Sequence, residues 1–317
     1  MPRRPAPPAR SVGIVRIAIN GSAATLSGRL EDVLDAARGA RADGFGSFWL
    51  AQTTLLDALA VLAVVGASGA APAEVGTAVV ATYGRHPTVL AAQALTAQAA
   101  LPGRLVLGVG VSHRPSVEER LRMRWDPPLR HIREYLTILD ALLREGRADH
   151  DGQLFSAHVD QPRPPVEPPS VMLAALGPQM LRLAGERTDG TVLWMVGPRT
   201  IREHVAPTIG DAAARAGRPA PRIVCSLPVV VTDREAEVRA FAARAFARYG
   251  ELPSYRAMLD REGAEGPQDV CIVGDEQAVG AALDEIAHAG ATDFAAVEIG
   301  GTPEERERTR ALLRSRA

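Results

Sequence analysis

Hydrophobic positions along the chain follow two rhythms. Short apolar runs recur at Val15–Ile19, Ser47–Leu50, Val75–Val80, Leu105–Gly108, Val171–Ala174, Thr191–Trp194, Val224–Val231 and Phe294–Glu298, and each reads as a buried strand. Between them apolar residues fall at the three-to-four spacing of a helix with one buried face. Over Ser27–Arg41, for example, Leu30, Val33, Leu34, Ala37 and Ala40 make one stripe, and Gly44 stands where a helix end takes up a left-handed residue. The same reading predicts helices over Leu55–Val65, Thr88–Ala100, Pro128–Arg144, Pro178–Ala184, Thr200–Ala216, Arg234–Tyr249, Glu276–Ala289 and Pro303–Arg314. Strands alternating with helices predict a parallel sheet, closed into a (β/α)8 TIM barrel; an open doubly wound sheet is the alternative left by this pattern.

Two segments are longer than a simple connection needs. Residues 110–170 hold a helix and a Pro-rich tract with His150 and His158, and residues 252–269 are polar with Gly263 and Gly266. Such insertions at the C-terminal face of a barrel form the rim or lid of a site.

Composition narrows the function. The 317 residues, 46% of them hydrophobic, suffice for a single barrel domain, placed at residues 11–317. Residues 1–10, MPRRPAPPAR, read as a disordered leader without the apolar core of a signal peptide, so the cytoplasm is expected. The apolar run Leu55–Ala71 is shorter than the roughly 20 residues a membrane span needs and is broken by Asp57, Gly66, Ser68 and Gly69, so no membrane partner is expected. A net charge of -1 with both signs interspersed leaves no broad basic face, and nucleic acid is not an expected partner. Every cation of the Lys+Arg total is arginine. The lack of lysine excludes Schiff-base chemistry, pyridoxal-phosphate anchoring and the P-loop. Cys225 and Cys271 lie in apolar stretches and read as reduced core residues. His150 and His158 near Asp149, Asp151 and Asp160 invite a metal, but their Pro-rich setting argues against one, and no metal site is expected.

Three stretches carry candidate chemistry. In GRLVLGVGVSH, Gly103 to His113, a strand ends in small residues that let backbone amides approach a ligand; it is no Rossmann fingerprint, because His113 occupies the third glycine position. In VMLAALGPQM, Val171 to Met180, a strand runs into Ala175-Leu176-Gly177 and a helix opened by Pro178, whose N-terminus favours an anion. In VGTAVVATYGRHP, Val75 to Pro87, a strand leads to Arg85, whose guanidinium suits a phosphate or carboxylate.

Taken in order, these motifs resemble the luciferase-like monooxygenase family, in particular its F420-dependent branch, which includes methylenetetrahydromethanopterin reductase and the F420-dependent glucose-6-phosphate and alcohol dehydrogenases. The likeness runs from Ile17 to about Leu313. It implies a bacterial-luciferase-like barrel, a homodimer, and a reduced deazaflavin, F420, that exchanges hydride with a C=C, C=N or carbonyl group of a small substrate. It further implies a non-prolyl cis peptide at Ala78–Val79 against the cofactor ring, a contact segment Gly110-Val111-Ser112-His113, and a phosphate cradle Ala175-Leu176-Gly177-Pro178-Gln179-Met180. Arg85 is a further cofactor contact, and His113 and Asn20 are the catalytic candidates. Sugar-phosphate oxidation is not implied, since the dehydrogenase's acidic residue is replaced by His113 and its Asp-His pair by Asn20-Gly21. The alternatives are an FMNH2-dependent monooxygenase and a non-catalytic flavin-binding barrel.

Overall fold

The computed structural model describes Val15–Ala317; the expected leader at residues 1–10 lies outside the described residues. Eight parallel strands close on themselves: β1 (Arg16–Asn20), β2 (Ser47–Leu50), β3 (Glu74–Thr77), β4 (Arg104–Gly110), β5 (Ser170–Leu173), β6 (Gly190–Trp194), β7 (Arg222–Ser226) and β8 (Asp293–Glu298). Closure is made by β1 on β8, in register from Arg16↔Asp293 to Ile19↔Ala296. This settles the barrel over the open sheet.

Strand alternation divides the core in two. Ala18, Trp49, Val106, Met172, Val192, Val224 and Ala295 point into the barrel, with Ala78 and Val79 packed on them. The intervening residues, such as Ile19, Phe48, Leu107 and Phe294, face the surrounding helices. Gly76 is required by this filling: a Cβ there would lie 2.4 Å from the Trp49 ring. Among the enclosing helices are α1 (Leu30–Ala42), α2 (Ala58–Ala67), α3 (Pro87–Ala100), α4 (Pro128–Glu145) and α5 (Pro178–Arg187). Gly44 follows α1 at φ +84°, as the helix end demands. None of the described helices is long and apolar enough to cross a membrane.

The structure departs from the expected elements at several points. The first helix begins at Leu30, not Ser27, because Asn20 caps a 3-10 turn over Gly21–Ser27. The run Val224–Val231 is two strands. β7 stays in the barrel, whereas Pro228–Val231 pairs with the end of β8 at Val297 and Glu298 and, on its other side, with Ile272–Gly274, a strand too short to show a period. Pro228, which has no N–H to offer a ladder, stands at the break. The Pro-rich tract contains an antiparallel hairpin, Arg147–Asp151 with Ser156–Asp160, whose alternation is nearly invisible because only Ala148 and Ala157 are buried. Residues 252–269 are not an irregular loop. Pro253–Glu262 is a helix resting on Met258 and Leu259, ended by Gly263 at φ +79°.

The barrel floor is ionic. Arg222, at the start of β7, donates to both Glu74 oxygens (3.0 and 2.8 Å) at the start of β3 and to Asp293 Oδ1 (2.8 Å) at the start of β8.

Candidate active site

At the C-terminal mouth of the barrel the three motifs meet. A Cβ on Gly110 would stand 3.1 Å from both Val79 Cγ2 and Ala174 Cβ, so the ends of β3, β4 and β5 come together there more closely than a side chain at 110 would allow without a shift. The Ala78–Val79 peptide is cis. Its neighbours hold it on both sides: Ala78 N–H donates to Leu50 O at 2.7 Å, and Val79 O accepts from Gln52 N–H at 3.2 Å. Gly108 has a different role. Its Cβ would fall 2.0 Å from Thr77 O, so that glycine serves strand packing and not ligand approach.

Beyond Ala174, the segment Ala175-Leu176-Gly177 leads into α5. Gly177 is its N-cap and makes no side-chain capping bond, and Gly177, Pro178 and Gln179 are exposed. The amides of Gln179 and Met180 therefore open to the outside at the positive end of the helix. Below them the buried His204 hydrogen-bonds Leu176 O through Nε2 at 2.8 Å, fixing the cradle from within. His204 sits in a π-helical turn, Ile201–Val205, and a second π-turn, Ser116–Arg120, follows His113.

His113 comes after Ser112, which adopts φ +64° and turns the chain at the end of β4. The imidazole is half-buried under Tyr249 and Tyr255, with ring centroids at 6.5 and 5.6 Å. Burial first, and the Arg248 charge second, hold its pKa below the ordinary histidine value, so it is neutral near pH 7. The short helix Ala247–Glu251 and the helix Pro253–Glu262 form a lid over His113, and Arg248 ties it to the turn after His113 by donating to Ser116 Oγ at 2.9 Å. Between lid and turn lies a cleft of about 550 Å³ bordered by Glu119, Arg120, Arg248 and Glu251.

Two candidates are bound up with the protein itself. Asn20 is buried: its Oδ1 accepts from Ser22 N–H (3.1 Å) and its Nδ2 donates to Ser226 Oγ (3.1 Å), a geometry that clips strand ends together. Arg85 forms an ion pair with Asp57 and reaches Gln52 Oε1 at 3.3 Å, while its Nη1 is buried without a partner. It thus braces the loop that holds Val79. Trp49 is wholly inside the barrel, and His86 caps α3. His158 bonds Asp149 and Asp151 across the exposed hairpin, and no group of three metal-binding side chains occurs among the described residues.

Tyr249, Tyr255, Arg248, His204 and Ser226 were not singled out by sequence. One signal was present: two of the four tyrosines of the chain stand six residues apart, one at the end of the expected helix Arg234–Tyr249 and one in the polar insertion that follows.

Residues 12–305 match the luciferase-like monooxygenase family. The chain belongs to this family, and with it to the oxidoreductases. It is 29% identical over 266 residues, 79% of this chain and 77% of the relative, to the uncharacterized protein Rv1360 of Mycobacterium tuberculosis. It is 26% identical over 193 residues, 60% of this chain and 57% of the relative, to a 5,10-methylenetetrahydromethanopterin reductase of Archaeoglobus fulgidus. In fold it is similar to the coenzyme F420-dependent tetrahydromethanopterin reductase of Methanopyrus kandleri, with a TM-score of 0.76, 17% identity and coverage of 96% of this chain and 98% of the other.

Proposed function

We propose that this family member is an F420-dependent oxidoreductase that exchanges hydride with a C=C, C=N or carbonyl group of a small organic substrate. The observation that carries this reading is the meeting of Val79, side-chain-free Gly110 and Ala174 at the barrel mouth, beside the uncapped N-terminus of α5. A flat ring fits against a surface with no Cβ at its centre, and a phosphodiester fits amides that no side chain caps. The sequence likeness to a methylenetetrahydromethanopterin reductase supports the same branch.

When bound, the deazaflavin supplies the hydride-carrying ring carbon. The protein does the rest. Ala78–Val79 and Gly110 would back the deazaflavin's ring, the turn at Ser112 would border it, and Gly177–Met180 would hold its phosphate. His113, neutral and under the lid, orients the substrate or holds the proton that accompanies hydride transfer. Tyr249 and Tyr255 exclude water above it.

Titration of the purified protein with F420 and FMN, oxidised and reduced, tests the reading. Preferential F420 binding is the expected result. Preference for reduced FMN would instead favour the monooxygenase, tight binding without turnover of any electrophile a silent flavin-binding barrel, and binding of neither would refute the proposal.

The chain is further proposed to pair with a second copy through α2 and α3. Neither helix carries a charged residue, and Ala60, Val64, Ala67, Val89 and Ala92 are exposed along them. Sedimentation velocity is expected to give twice the chain mass; a monomer would refute it.

A further inference from the structure

Trp194 ends β6, two residues beyond the inward-facing Val192, and packs with Phe246, Tyr249 and Tyr255 against the core. Over it the lid lays a series of rings edge to face. Trp194 meets Phe246 at 5.8 Å and Tyr249 at 5.9 Å between centroids, and Tyr249 meets Tyr255 at 5.0 Å. Tyr255 then meets His113, completing a wall from the end of β6 to the turn after β4. Besides the imidazole this wall holds few polar groups. The Trp194 Nε1 donor is buried without a hydrogen-bond partner of good geometry. The wall contains no carboxylate or guanidinium, and Arg248 beside it is engaged with Ser116.

We propose that this aromatic wall sets the substrate class: a neutral molecule with a flat or cyclic apolar body and one accepting oxygen, selected by Tyr249 and Tyr255. The proposal rests on the reading of the barrel mouth as an oxidoreductase site. Ring faces and edges offer apolar area to a cyclic body, and a buried donor without a partner favours a ligand that brings an acceptor. An anion meets Arg248 already engaged with Ser116, and meets the carboxylates of Glu119 and Glu251 at the border of the adjoining cleft. An organic cation, which aromatic walls can also hold, meets the field of Arg248, which already disfavours charge on His113. The adjoining cleft of about 550 Å³ has the capacity for a small molecule.

Acetophenone, benzoate and benzyltrimethylammonium share a phenyl ring and differ in charge. Calorimetric titration of the full chain near pH 7 is expected to rank acetophenone tightest, by about tenfold over either ion. Trp194→Phe keeps an aromatic ring and removes the buried donor, and is expected to weaken acetophenone roughly three- to tenfold relative to toluene. Tyr255→Leu is expected to weaken every ring probe. Equal or tighter binding of an ion, binding of none of the three probes, or an unchanged acetophenone-to-toluene ratio in Trp194→Phe overturns the proposal; that last variant decides should Tyr255→Leu fail to fold. F420 and FMN titrations of the same proteins separate the two readings. Wild-type protein that binds neither cofactor removes the oxidoreductase reading, whereas the probe ranking alone decides the substrate class.

Discussion

Replacing Arg222 by Met tests the ionic floor of the barrel. The guanidinium bridges Glu74 and Asp293, whose side chains are 16% and 1% exposed, and is itself 23% exposed. Methionine conserves much of the volume but strands Asp293, which keeps only Arg16, a 61% exposed partner at 2.5 Å, and the Thr292 hydroxyl at 2.6 Å. Removing one partner of a buried ion pair costs about 3–5 kcal/mol, and the surviving contacts place this case at about 3. With an unfolding entropy of about 2.1 cal/mol/K per residue, a chain of this length loses roughly 4–5 °C in Tm. Urea unfolding and calorimetry measure both values. In Arg222→Met, the further change Asp293→Asn is expected to cost about 1 kcal/mol less than it does in the wild type, because the stranded charge is then gone. A loss below about 1 kcal/mol in the single variant, or strict additivity in the double, would refute the reasoning.

His131 is 2% exposed, stacked on Tyr83 at 4.2 Å, and bonds Thr82 Oγ1 at 2.9 Å. Burial lowers its pKa from 6.5 to about 4, against the opposing charges of Asp126 and Glu134. The unfolded chain therefore takes up a proton that the folded one refuses. Stability is full above pH 6.5 and falls by about 3 kcal/mol as the pH drops to about 4. Urea unfolding of His131→Phe at pH 7 and pH 4 should show that much less acid sensitivity; an unchanged difference sinks the assignment. Arg248→Ala unties the lid from Ser116 and removes the cation beside His113. The His113 pKa should rise towards its ordinary value and carry the acid limb of kcat/KM to higher pH, an effect that a purely structural role for Arg248 would not produce.

The fold was legible where a residue pattern maps onto a local preference. Leu30, Val33, Ala37 and Ala40 pack as one helical stripe, Gly44 terminates it, and each of the eight barrel strands lies within or beside an expected run. The candidate site was legible where glycine or proline marks the backbone, as at Gly110 and Gly177-Pro178. It was obscure where distant side chains meet. No local spacing says that Asn20 reaches Ser226, or that Arg85 spends its charge on Asp57.

The order of strands and helices, the small-residue turns and the absence of lysine are properties of the chain alone, because they depend on residues near one another in sequence or on composition. The tertiary structure decided what each glycine faces, Gly110 the side chains of Val79 and Ala174 at the mouth and Gly108 the backbone of Thr77, since each depends on atoms more than thirty residues away. It also decided that Tyr249 and Tyr255 stand over His113. Barrel closure brings the lid of β7 across to the end of β4, and that proximity is set by the shape of the closed sheet.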